Sequence, residues 1–99
     1  MDTRQKLEVL QEVCADEVEL GQVVGKLLEL TLGRHRQRLA RYAHDLRAFE
    51  QQYAMDSETF YRRFEAGELG DRMDFFEWAG LCELRQDLLQ KIHRIEAVL

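Results

Sequence analysis

The residues of this chain that could do chemistry gather in two places. Five carboxylates, Glu65, Glu68, Asp71, Asp74 and Glu77, cluster around one glycine-containing turn and could bind a cation or act as acid and base. Upstream, the segment GRHRQRLAR carries Arg34, Arg36, Arg38 and Arg41. Arg34, Arg38 and Arg41 stand at i, i+4 and i+7, so on a helix they share one face that could track phosphates or dock on an acidic protein surface. Each cluster also has a plainer reading. Helix capping and solvated faces explain the carboxylates, and ordinary ion pairs such as Arg41 with Asp45 explain the arginines.

Other constellations are weaker. His35, His44 and His93 do not fall on adjacent turns of one helix, and neither Cys14 nor Cys82 joins them at the spacing of zinc ligands. Cys82 and His93 would sit roughly 16 Å apart along one helix, too far for direct proton transfer. The two cysteines read instead as reduced thiols buried as small hydrophobes. Gly67-Glu68-Leu69-Gly70 is acidic where a phosphate-cradling loop needs exposed donors. No catalytic residue, metal or cofactor is assigned on these grounds, and a non-enzymatic protein is expected.

At 99 residues the chain is one domain at most, and 45% hydrophobic with 33% charged residues is the balance of a folded, helix-rich protein. A net charge of -5 argues against wholesale attraction to nucleic acid or anionic lipid. The charge is unevenly spread. Residues 1–33 carry three basic and seven acidic side chains, residues 34–63 seven and four, and residues 64–99 four and eight. No apolar run is long enough to span a bilayer and the N-terminus lacks the pattern of a secretory signal, so a cytoplasmic location without membrane contact is expected.

The elements that must position these residues are helices, because the chain has no proline and is rich in Leu, Glu, Arg, Gln and Ala. Capping-box signals at Asp2 to Gln5 and Asp16 to Glu19 predict a short helix within 1–15 and a long one over 17–53. Met55 and Phe60 flank Asp56 at the spacing of a hydrophobic staple, which opens a short helix over 57–66 that Gly67 closes. Asp71 is expected to cap a fourth helix over 72–98. Between the last two, Glu68-Leu69-Gly70 makes a tight corner in which Gly70 takes a backbone conformation refused to its neighbours.

Leu28, Leu32, His35, Leu39, Tyr42, Leu46, Phe49 and Tyr53 recur at alternating spacings of four and three, a coiled-coil-like seam. Trp78, Leu81, Arg85, Leu88, Ile92, Ile95 and Leu99 answer it with one charged interruption. The expected fold is all-α, a long antiparallel hairpin over residues 1–99 as a single domain, with a short N-terminal helix and a short helix at the corner. Phe60, Phe64, Gly67, Gly70, Asp71, Phe75 and Trp78 are its structural corner.

A continuous helix over 17–53 would be roughly 55 Å long at about 1.5 Å per residue. A compact 100-residue globule has a radius of gyration of only about 13 Å. One end of the helix must therefore project, bend or meet another chain. The projecting residues Leu20, Val23, Val24, Leu27 and Leu28 predict an interface with a second copy or another protein. Gly21, Gly25 and Gly33 keep a bend open as the alternative, Val18 to Val24 could instead be extended, and Gly21 and Gly25 could admit a closely approaching helix.

The corner carries one more signal. Phe60, Tyr61, Phe64, Gly67, Glu68, Leu69, Gly70, Asp71, Asp74, Phe75, Glu77 and Trp78, preceded by Phe49, Glu50 and Tyr53, form a motif. It resembles that of a family of small, largely uncharacterised prokaryotic helical proteins with an FYxRFxxGELGDxxDFxEW-type pattern. The resemblance covers roughly the C-terminal half and implies an antitoxin-like partner of a small toxin. The N-terminal third departs from the pattern and carries no DNA-binding role over with it. A protein–protein interaction module, dimeric and with a cognate protein partner, is the first expectation; a nucleic-acid-binding regulator using the Arg34, Arg38 and Arg41 face is the second.

Overall fold

The computed structural model describes residues 1–99 and contains four helices in the order α1 (Thr3–Val13), α2 (Glu17–Tyr53), α3 (Ser57–Glu65) and α4 (Met73–Val98). The caps explain three of the four starts. Asp2 accepts the Gln5 N–H at 2.8 Å while the Gln5 side chain accepts the Asp2 N–H at 3.0 Å, closing the capping box of α1. Asp16 accepts the Glu19 N–H, but the reciprocal bond is displaced by one residue, since Glu19 takes the N–H of Ala15 rather than that of Asp16. Asp56 accepts the Thr59 N–H at 2.7 Å, and this bond holds its carboxyl below the ordinary value.

The fourth start departs from expectation. α4 begins one residue later than an Asp71 cap requires: Arg72 is the capping residue, it contributes no side-chain bond, and Asp71 is exposed. Gly70 also differs, because Gly67, at φ 73°, is the one glycine with a left-handed backbone. Gly67 closes α3 in a Schellman arrangement, its N–H donating to Phe64 O and the Glu68 N–H reaching back to Arg63 O. An Arg63–Glu68 ion pair at 3.2 Å spans the positions where this motif ordinarily makes an apolar contact.

α2 is closed in the same way by Ala54, which adopts φ 52° with a Cβ in place, while the Met55 N–H donates to Glu50 O. A left-handed non-glycine residue costs about 1–2 kcal/mol, so the corner holds Ala54 there against its preference. The surrounding aromatic core supplies the reason. Met55 follows immediately and packs against the cluster containing Phe60, as the staple requires.

α2 and α4 form the antiparallel hairpin. Tyr53 donates to Asp74 at one end and Arg36 pairs with Glu96 at 2.9 Å toward the other, which sets the register. The seam buries Leu32 and Leu46 of α2 with Trp78, Leu88 and Ile92 of α4. Ala79 and Cys82 join them because α3 covers a second face of α4, whereas Leu99 at the end of the seam is exposed. α2 is unbroken at Gly21, Gly25 and Gly33, and no extended segment interrupts 18–24. The long axis of the molecule is 58 Å, about the length of α2 by itself, so α1 does not prolong α2. A radius of gyration of 19.3 Å, against about 13 Å for a compact chain of this size, confirms the elongated form.

Candidate functional site

The register leaves the first turns of α2 beyond the reach of α4. No residue before Leu32 is buried. Leu20, Val23 and Leu28 are half-buried, while Val24 is 39% and Leu27 50% exposed. Leu30 and Val18 are open as well, and α1 has no buried residue of its own. A Cβ built on Gly21 or Gly25 would meet nothing within 4 Å, so neither admits a close helix approach within the chain. The five residues expected to form an interface thus share one end of one helix, outside the monomer's core.

The arginine face lies next along the same helix. Arg34, Arg38 and Arg41 are all exposed and none is in an ion pair; the expected Arg41–Asp45 pair does not form. Arg36, on another face, is the one arginine of the segment that is neutralised, by Glu96. Exposed guanidinium groups with no carboxylate partner keep their full charge for a ligand or partner.

The corner is occupied by structure. Trp78 is fully buried, stacked on Phe60 with ring centroids 3.8 Å apart and 2° between planes, and further stacked with Phe49 and Tyr53. Its indole N–H donates to Ser57 Oγ at 2.9 Å, and the Ser57 N–H donates to Glu50 Oε2 at 2.8 Å. Ser57 is the one buried polar residue and ties all three helices of the corner together. Sequence reading passed over it. Glu50, named only as part of the motif, is its partner from α2.

The corner carboxylates disperse. Glu68 pairs with Arg63, and Asp74 accepts from the Tyr53 hydroxyl at 2.5 Å and from Gln52 at 3.4 Å. No three His, Cys, Asp or Glu side chains converge in a manner that could hold a metal ion. The largest of the three principal clefts, about 640 Å³, lies instead between α3 and α4 and is lined by Ser57, Glu58, Tyr61, Cys82, Glu83, Arg85, Gln86, Asp87 and Leu89. None of the three principal clefts is lined by Glu68 or Asp71.

Two groups in the α3–α4 cleft are shifted, both away from reactivity. Tyr61 donates to Glu83 at 2.9 Å, and this bond, with the neighbouring Glu65 carboxylate, raises its phenol well above the ordinary value. Burial raises the Cys82 thiol. An activated nucleophile needs the opposite shift, toward the anion at neutral pH. Cys82 is buried as expected of an inert thiol, but Cys14 is only half-buried and stands at the end of α1. No helix is long and apolar enough to cross a membrane.

Comparisons with protein families, with curated proteins and with solved structures find no match. The resemblance at the corner therefore stands on its motif residues alone.

Proposed function

We propose that this chain is a non-enzymatic protein–protein interaction module, working in the cytoplasm as an antitoxin-like partner of a small toxin. The observation that carries the interaction reading is the end of α2, where Leu20, Val23, Val24, Leu27 and Leu28 stand together with no covering element that buries them. Apolar surface left in water costs about 25 cal/mol per Å², and helices with such stripes dock through anchors at i, i+3, i+4 and i+7. The antitoxin assignment follows the motif from Phe60 to Trp78, and net acidity suits a basic partner.

Charging Val24, Leu27 and Leu28 together to Asp tests the module. Expected is loss of both self-association and partner binding, with helix content retained; unchanged assembly size and unchanged partner binding would refute it. Co-expression with a toxin encoded beside the gene tests the antitoxin assignment, relief of toxicity being the expected result.

Three unpaired guanidinium groups on one face favour a second reading, a nucleic-acid-binding regulator. It requires binding to DNA or RNA that weakens steeply with salt and disappears when Arg34, Arg38 and Arg41 are replaced together. No shift with either nucleic acid at low salt would end it.

A further inference from the structure

The apolar overhang and the arginine face are parts of one stripe. Starting at Glu17, every step to Leu20, Val24, Leu27, Thr31 and Arg34 alternates three and four residues, and the same alternation continues through Arg38 and Arg41. This is a second seam along α2, offset from the one that α4 covers. Its charge order is acidic, then apolar, then basic. Val24 and Leu27 at its centre are 39% and 50% exposed, and neither Glu17 nor Arg34 has an ion-pair partner.

We infer that the occupant of this stripe is a second copy of the chain, laid antiparallel, with its two-fold axis between Val24 and Leu27. The inference rests on the interaction reading above and specifies its geometry. Glu17 and Arg34 lie equally far from that midpoint, about 13 Å at about 1.5 Å per residue, so a two-fold axis there sets Arg34 of each copy opposite Glu17 of the other. Arg38, one turn further on, then meets the turn that carries Asp16 of the second copy.

The charge distribution selects this arrangement over its alternatives. A parallel pair in register would set Arg34, Arg38 and Arg41 against their own counterparts and Glu17 against Glu17, stacking like charges along the seam. An antiparallel pair centred further along, among the arginines, would also oppose cation to cation. Centring on the apolar third alone brings the acidic N-terminal region of one copy, seven acidic against three basic residues over 1–33, to the basic segment of the other. An isologous contact of this kind closes on itself and ends at a dimer.

The test uses the full chain in a charge-swap cycle followed by sedimentation equilibrium or light scattering. Arg34→Glu and Glu17→Arg should each weaken the dimer about tenfold by opposing like charges, with the loss of a cross-copy pair felt mainly as faster dissociation. The double variant should return the affinity to within about twofold of the original, because each copy again meets the opposite charge. Helix content by circular dichroism, unchanged in all three because both positions are exposed, separates lost association from lost folding. A dimer indifferent to either single change, or not restored by the double one, overturns the antiparallel register. A chain that stays monomeric at about 100 μM overturns self-association through this stripe. In either case the interaction module survives if the Val24, Leu27 and Leu28 triple variant still abolishes binding of a cognate protein, and falls if it does not.

Discussion

Between Leu46 and Cys82 five hydrophobic side chains are buried and three helices share an aromatic stack, whereas between Met1 and Thr31 no side chain is buried. The second stretch is not poor in apolar residues: Met1, Leu7, Val9, Val13, Val18, Val24, Leu27 and Leu30 are all substantially exposed. Two things separate the regions. All nine aromatics fall at or after Tyr42, and aromatics carry the largest apolar area per residue. The corner also has a third helix. Two helices alone bury only Leu32, Leu88 and Ile92 in the middle of the hairpin, while adding α3 seals Phe60 and Trp78 completely. α1, the other short helix, carries no aromatic residue and has no buried residue.

The largest effect expected from this contrast is at Trp78. Trp78→Ala should cost about 3–5 kcal/mol, while Val24→Ala or Leu27→Ala, measured by urea denaturation at concentrations where the chain is monomeric, should stay within about 0.5 kcal/mol. Comparable losses at the two ends would break the comparison. Next in size is Ser57→Ala, which strands the buried indole N–H without an acceptor and should cost about 1–3 kcal/mol in the same experiment.

The two left-handed closures sharpen the contrast within the corner itself. Ala54→Gly should raise stability by about 1 kcal/mol and Gly67→Ala should lower it by about the same, since each reverses the fit of side chain to backbone. Gly70→Ala should be tolerated, as an added Cβ there meets nothing within 4 Å and the backbone is not left-handed. A Gly70 variant as damaging as the Gly67 variant would contradict that division.

The smallest effect is one of pH, confined to the corner. Tyr53 and Tyr61 are both held above their ordinary value of 10.0, first by their bonds to Asp74 and Glu83. A raised folded value means that stability from these bonds is complete below pH 10 and declines as pH rises through the folded values, because only the unfolded chain releases the protons readily. Tyr61→Phe should therefore flatten the fall in urea midpoint on going from about pH 9 to about pH 11. An unaltered slope would show that the Tyr61–Glu83 bond is not kept in solution.

Local signals were well legible in the sequence. Asp2, Asp16 and Asp56 cap the helices expected of them, Gly67 turns left-handed, and the seam from Leu28 to Tyr53 predicts the α4 partner, with Leu32 and Leu46 buried along it. Failures arise where the decisive partner is remote or where a weaker residue serves. Ser57 looks like an ordinary first-turn serine until Trp78, twenty-one residues away, delivers its indole N–H. Ala54 carries no glycine signal, because the force holding it left-handed comes from the tertiary core around it. Asp71 has the right residue type one position too early, and Arg72, which takes the capping position, makes no side-chain cap bond. For the interaction surface, the apolar stripe and its neighbouring arginines were legible from periodicity, while their lack of partners required the register of α4 to be known.

The buried indole also gives the molecule an optical consequence. Trp78 is the single tryptophan, so ultraviolet emission from the chain reports one location only, the stack against Phe60 and the bond to Ser57. Far-ultraviolet dichroism, by contrast, sums over all four helices. When the chain is heated or titrated with denaturant, any loss of dichroism that precedes the change in emission belongs to helix outside the stack, and the gap between the two curves measures how independently the far end of the molecule melts.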